Sequence, residues 1–254
     1  MDKTFSLEGK TFMIAGGTRG IGRAISLRFA RSGARVVANY VRDEQAAQAL
    51  LAEAGEEALG LTVCRADLTS AKGLAKLDKE VETVLTDLSG LVFCAATGVH
   101  RSFEGMTDRH FDWTFSLNVR AFFDLALLLL PRFRESASIV ALSSQGARQV
   151  VPSYSLVGAS KAALESLARH MAVELAPRGI RVNILSPGAV RTGAWSAMPD
   201  GEARLAGAAR RSPLGKLTSP EDSALAAQFL CSDAARGIVG HTLVVDGGMS
   251  LIGE

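Results

Sequence analysis

Ser144, Tyr154 and Lys161 are the residues of this 254-residue chain whose types and spacing could do acid–base chemistry. A phenol has a pKa of about 10 and does little at neutral pH until a nearby cation favours its anion. Tyr154 stands seven residues before Lys161. Seven residues are about two helical turns, so a helix beginning at the tyrosine would put both on one face. Lys161 would then tune Tyr154. Ser144 ends an apolar run seventeen residues before Lys161, and Asn118, in Leu117-Asn118-Val119, is a polar residue in a helical pattern. The four histidines, His100, His110, His170 and His241, show no metal-ligand spacing and read as surface or helix residues.

The elements that must position these groups follow from pattern. Short apolar runs at 11–15, 35–40, 60–65, 90–95, 138–143, 181–186 and 241–245 read as strands. They alternate with helical patterns at 21–31, 44–54, 73–85, 111–130 and 156–175. Strands that are apolar on both parities expect helices on both sheet faces. The fold class is therefore α/β: a single doubly wound parallel sheet, Rossmann-like, formed by residues 1–254 as one domain. Residues 193–212 interrupt the last βα alternation and read as a helical substrate-loop excursion over the carboxyl edge, where open α/β sheets bind ligands.

Composition narrows the class. Hydrophobic residues make up 48% of the chain, enough for a sizeable core. A net charge of +2 gives no field for nucleic acid or an anionic membrane. Cys64, Cys94 and Cys231 are scattered, as expected of reduced thiols in a cytoplasmic protein, and Cys94 reads as a small buried filler. Residues 1–6 lack the apolar stretch of a signal peptide. The apolar run 125–130 ends at Pro131, far short of a membrane span.

Directly after the first strand comes Gly16-Gly17-Thr18-Arg19-Gly20-Ile21-Gly22, running into a helix. Glycines there allow a tight turn and close approach to a pyrophosphate, and the helix N-terminus offers free N–H groups to it. Strand before and helix after make the signal a dinucleotide site. The second strand ends Asn39-Tyr40-Val41-Arg42, beside the adenosine, with no carboxylate until Asp43. An acidic side chain there would accept from a free ribose 2′-hydroxyl, whereas Arg19 and Arg42 suit a 2′-phosphate. NADPH is expected over NADH.

The spacing Gly-x-x-x-Gly-x-Gly resembles the short-chain dehydrogenase/reductase family, and the likeness runs nearly the whole chain, through Val244-Val245-Asp246-Gly247-Gly248. It implies that Asp67-Leu68 holds the adenine and that Ala95 and Ala96 lie against ribose. It also implies that Lys161 binds the nicotinamide ribose and that Asn118 supports a water relay to it. In Ser186-Pro187-Gly188-Ala189-Val190-Arg191-Thr192, the backbone of Val190 would hold the carboxamide and Thr192 would reach a phosphate. Asp67 could equally cap the following helix.

The family commonly sets its tyrosine four residues before the lysine, where this chain has Val157. The serine and lysine keep their usual distance, so the acid alone has moved, by about 4.5 Å if it lies on a helix. A ketone reductase delivers hydride to the carbon whose oxygen takes the proton. Reduction of an enoyl thioester puts hydride on C3 while charge gathers on the oxygen attached to C1, so the acid must stand farther from the nicotinamide. Tyr-x6-Lys resembles bacterial enoyl-acyl-carrier-protein reductases. The runs at 93–99 and 143–165 are most similar to their NADPH-dependent type III branch.

Departures accompany the likeness. Ala15 replaces a threonine, the asparagines usual after the fourth strand are absent, and Ser144 stands where another branch carries a second tyrosine. The rival readings are a 3-oxoacyl or other ketone reductase and an inactive nucleotide-binding scaffold. The resemblance further implies a homotetramer and an acyl thioester carried on acyl carrier protein or coenzyme A, with Arg204, Arg210 and Arg211 as candidates for the carrier's basic patch.

Overall fold

The computed structural model describes residues 3–82, 84–193, 195 and 200–252. Part of the expected excursion, residues 194 and 196–199, lies outside the described residues. Seven parallel strands form one sheet in the order β3-β2-β1-β4-β5-β6-β7. They are β1 (Thr11–Ala15), β2 (Arg35–Tyr40), β3 (Leu61–Arg65), β4 (Leu88–Phe93), β5 (Phe133–Leu142), β6 (Arg181–Pro187) and β7 (Thr242–Val245). The strand order reverses at β1, whose neighbours are β2 and β4. The crevice outside the carboxyl ends of β1 and β4 is thus the topological switch point at which such sheets take ligands.

Every residue of β1, β4 and β6 is buried, because helices cover both faces. One face carries α1 (Gly20–Arg31), α2 (Glu44–Glu56) and α8 (Pro220–Cys231), with Phe12 and Phe29 in edge-to-face contact at 4.8 Å. The other carries α3 (Ala71–Val81), α5 (Ala121–Leu129) and α6 (Ser155–Leu175), with Phe93 and Phe122 at 5.3 Å. The two remaining helices among the described residues are α4 (Asp108–Phe115), which packs on α6, and α7 (Gly201–Arg211).

Several expectations shift. The helix read at 111–130 is α4, a π turn over Ser116–Arg120 and then α5, so the ladder widens by one residue around Asn118. Such π insertions recur at functional sites. The helical run 108–132 is long and apolar enough to cross a membrane by length and composition. Here Phe122, Leu125 and Leu129 pack on the sheet instead. β4 spans Leu88–Phe93 rather than 90–95, which leaves Cys94, Ala95 and Ala96 beyond the strand, in the crevice. β5 begins at Phe133, five residues before the expected start. Helix α8 was not expected, although Ser219-Pro220-Glu221-Asp222 holds its signal: a capping box with proline at the first helical position.

Candidate active site

At the nucleotide end the backbone sets the geometry. Gly16 has φ +71°, and a Cβ there would meet the Cα of Ala95 at 3.0 Å. A Cβ on Gly22 would overlap the carbonyl oxygen of Gly16. Helix α1 starts at Gly20 with no side-chain cap from Arg19, so its first N–H groups remain available to an anion. Thr18 is buried, Ile21 is half-buried, and Thr192 packs against Gly20, 3.4 Å from where a Cβ would sit. The cradle that a Cβ would fill, together with the uncapped helix end, fits a dinucleotide pyrophosphate.

The adenosine side is more committed than expected. Asn39 is buried and its amide donates to the carbonyls of Ala66 (2.9 Å) and Cys64 (3.3 Å), so it ties β2 to β3. The Tyr40 hydroxyl donates to Glu44 at 2.7 Å. Both side chains therefore serve the sheet and α2 while standing at the end of β2, where the cofactor was expected. Arg19 is exposed, 3.9 Å from Asp43, which itself caps α2. Arg42 lines a cleft of about 480 Å³ with Val99, Arg109, His110 and Trp113. Asp67 does not cap α3, since Ser70 does. Its Oδ1 accepts from the backbone and hydroxyl of Thr69. Leu68 is buried. Ala95 is half-buried and Ala96 exposed in the crevice. Pro187 ends β6, and Gly188 packs on Asp246. The carbonyl of Val190 accepts from the Trp195 indole at 2.8 Å, which leaves that oxygen less free for a carboxamide than expected.

At the reactive end the phenol is not on the helix. Tyr154 is the N-cap of α6, with φ −125° and ψ 14°, and Ser153 before it turns through φ +61°. The displacement is thus a change of element, and the helical estimate of 4.5 Å does not apply. The Tyr154 hydroxyl approaches Ser144 Oγ at 3.4 Å. Its ring lies over Gly146, where a Cβ would be 2.6 Å from the ring carbons. Burial raises the pKa of Tyr154 above the ordinary phenol value, and the Ser144 contact offsets this in part. The phenol is a protonated donor at neutral pH.

Lys161 is buried and donates to the carbonyl of Leu142 at 2.7 Å. Burial lowers its pKa to about 8, partly opposed by Cys94. No hydrogen bond joins it to Tyr154 among the described residues; its ammonium is held by the Leu142 carbonyl instead. Asn118 is also engaged. Its Oδ1 accepts from the Thr97 N–H at 2.8 Å, and its Nδ2 donates to the Thr97 carbonyl and Ser160 Oγ, each at 2.9 Å. Its side chain clamps the loop after β4 to α6. Burial pushes the Cys94 thiol up to about 12, so it stays protonated at neutral pH.

Sequence reasoning did not give the places of Val157 and His100, and it missed Glu165. Val157, at the position four before Lys161, is buried against Gly98, where any Cβ would overlap its methyl group. That contact seats the loop after β4 on α6. His100, three residues past Thr97, lies beside Tyr154 with ring centroids 5.4 Å apart and planes tilted by 36°; it is half-buried and in a loop rather than a helix. No spacing rule would have found it. Glu165 was findable, since it follows Lys161 by one helical turn. It accepts from Ser143 Oγ at 2.7 Å and from Arg148 at 3.1 Å, holding both ends of the turn that carries Gly146.

Comparison with known proteins agrees with this architecture. Residues 15–250 match the family model described as Enoyl-(Acyl carrier protein) reductase. A 1-cyclohexenylcarbonyl-CoA reductase of Streptomyces collinus is 34% identical over 94% of this chain and 86% of its own length. The hydroxynaphthalene reductase-like protein Arp2 of Metarhizium brunneum is 31% identical over 96% of both. A dehydrogenase/reductase from Sinorhizobium meliloti 1021 superposes with TM-score 0.90 at 33% identity, covering 97% of each chain. A candidate NAD(P)-dependent gluconate 5-dehydrogenase from Beutenbergia cavernae, with NADP bound at low occupancy, gives TM-score 0.89 at 31% identity over 98% of this chain and 100% of its own. The chain belongs to the short-chain dehydrogenase/reductase family and is an oxidoreductase of the reductase type.

Proposed function

We propose that the protein reduces the C2=C3 double bond of an enoyl thioester with NADPH. The observation that carries this reading is the phenol of Tyr154 at the N-cap of α6 beside Ser144, with Val157 buried at the position four before Lys161. Bound NADPH would supply hydride to C3. The C2=C3 electron pair then shifts toward C1, and the carbonyl oxygen takes the negative charge. Tyr154, held protonated by burial, donates a hydrogen bond to that oxygen, and Ser144 orients the phenol. Water supplies the proton to C2. An oxyanion donor of this kind contributes about 10²–10³ in rate.

The relative named as a CoA-thioester reductase and the matching family description support an activated acyl substrate. Preference for NADPH rests on Arg19 and Arg42 at the adenosine side, with Asp43 already engaged as the α2 cap. Lys161 would reach the ribose once its bond to Leu142 yields. On α7, Arg204, Arg210 and Arg211 would meet the phosphates of coenzyme A or an acyl carrier protein. A homotetramer would cover the exposed Phe123 and Leu127 of α5, which flank a cleft of about 370 Å³ lined by Phe115, Val119 and Leu167. The three cysteines are unpaired, in keeping with the cytoplasmic expectation.

The rival is ketone reduction, which the names of the Metarhizium and Beutenbergia relatives favour. Purified protein with NADPH and either a crotonyl or an acetoacetyl thioester separates the two by loss of NADPH absorbance. The crotonyl substrate should be consumed, and Tyr154→Phe should lower that turnover by about 10² or more with unchanged NADPH binding. Consumption of acetoacetyl thioester alone, or full activity in Tyr154→Phe, would overturn the reading.

A further inference from the structure

We propose that Glu165 is a positioning residue that aims the Tyr154 phenol through the turn Gln145–Ala147. The inference rests on the reading above of Tyr154 as the donor to the oxyanion. The Glu165 side chain is only 4% exposed, and a charged side chain is seldom so buried unless paired. Its Oε1 accepts from Ser143 Oγ at 2.7 Å, and its Oε2 accepts from Arg148 Nε and Nη2 at 3.2 and 3.1 Å. Arg169, one turn further along α6, stands 3.7 Å from the same Oε2.

Ser143 and Arg148 bracket the segment on which the phenol rests. Ser143 follows directly on β5, and Arg148 is the first residue past the turn. Between them, Ser144 Oγ meets the Tyr154 hydroxyl at 3.4 Å. A Cβ on Gly146 would lie 2.6 Å from the ring carbons of Tyr154, and a Cβ on Gly158 would lie 2.6 Å from the Gly146 carbonyl oxygen. The turn is thus a thin layer of backbone between the phenol and α6. Both glycines permit that closeness, and neither brings a side chain that could fasten the turn. Fastening falls to its ends. Gln149 reaches the Ser250 carbonyl from just beyond the turn, and among the described residues only Glu165 bonds both Ser143 and Arg148.

Removing the carboxyl group strands its partners unequally. Arg148, 54% exposed, can turn to water, whereas the Ser143 hydroxyl is buried and would be left without a partner. The segment then gains by swinging away from α6 to hydrate that hydroxyl, and it carries with it Ser144 and the seat of the phenol. A reacting group misplaced by about 1 Å can lose as much as about 10² in rate. No atom passes to or from Glu165. Its effect reaches the chemistry only through Tyr154.

The test is a cycle of wild type, Glu165→Leu, Tyr154→Phe and the double variant, with NADPH and crotonyl thioester. Glu165→Leu should lower kcat about 30-fold, with KM and NADPH affinity within about twofold of wild type. Glu165→Gln, which keeps one accepting oxygen, should recover about fivefold of that loss, and it replaces the Leu variant in the cycle if the latter does not fold. On the Tyr154→Phe background either change should cost less than about threefold, because the group it positions is already gone. Equal losses on both backgrounds mean a role in the fold alone and overturn the proposal, as does a Leu variant within about twofold of wild type. A wild type that reduces acetoacetyl thioester but not the crotonyl one overturns the enoyl reading instead, and the same cycle on the ketone then decides Glu165. A wild type inert on both overturns the proposed function, and the ionisation of Tyr154 then decides Glu165. Tyr40→Phe leaves Tyr154 as the one tyrosine, titrated by ultraviolet absorbance. Burial holds that phenol above its ordinary range, and His100 beside it is neutral there. Adding Glu165→Leu should admit water and let the phenol ionise at lower pH, and an unmoved midpoint overturns the proposal.

Discussion

At the nucleotide end of the crevice backbone meets backbone: Gly22 sits on the carbonyl of Gly16, and Gly16 on the Cα of Ala95. At the reactive end side chains set the positions: Val157 against Gly98, Tyr154 over Gly146, and Glu165 across Ser143 and Arg148. The first arrangement tolerates almost no alternative, because a main chain cannot rotate out of the way. The second can be re-plumbed by exchanging two residues. On the proposed reading, that difference lets one scaffold keep its nucleotide cradle while the reacting group moves from a helix to the cap before it.

The largest effect should come from breaking the rigid end. Gly22→Val would drive methyl groups into the Gly16 carbonyl and weaken NADPH binding by more than about 10²-fold, read by fluorescence titration. Binding within about threefold of wild type would mean that the loop yields as readily as the reactive end.

A smaller effect, about tenfold on turnover, is expected for Gly98→Ala, whose new methyl collides with Val157. Here the contact is between side chains, so Val157→Ala placed with it should restore much of the rate. The double variant performing no better than Gly98→Ala would show that the backbone, not Val157, sets the loop.

The smallest effect is on stability. Lys161 has its folded pKa lowered by burial from 10.5 to about 8. Below about pH 8 the folded, unliganded protein holds a buried ammonium that the unfolded chain solvates, so the penalty is fully present there. It is relieved as pH rises from about 8 toward 10.5. Thiols raised to about 12 act oppositely once pH passes 9, because the unfolded chain ionises first. Comparing variants at each pH cancels them. Lys161→Met should melt a few degrees higher than wild type near pH 7, with the gap closing as pH rises. A gap independent of pH would place the lysine in a solvated position.

The same contrast governs what the sequence discloses. Gly16, Gly20 and Gly22 are readable because their spacing has one physical use between a strand and a helix. The bounds of β1 and β2 follow from the runs Phe12-Met13-Ile14-Ala15 and Val36-Val37-Ala38, with Asn39 the one polar residue inside β2. The spacing of Tyr154, Ser144 and Lys161 is equally plain, but the roles expected of them are less so. Whether seven residues span a helix depends on Ser153 turning through positive φ, which propensity does not reveal. Asn39 and Tyr40 stand at the right place for a cofactor yet spend their polar atoms on β3 and α2, since buried amides and phenols take whichever partner packing offers first. His100 is invisible to any motif, because its neighbour is fifty-four residues away and the contact depends on Val157 and Gly98.

Locating the hydride tests the central claim most directly. Wild-type protein is given NADPH fully deuterated at C4 of the nicotinamide, with equal amounts of crotonyl and acetoacetyl thioesters, and the products are separated and weighed by mass spectrometry. Deuterium should appear at C3 of a butyryl thioester. Deuterium in a 3-hydroxybutyryl thioester, with the crotonyl substrate untouched, would contradict the account.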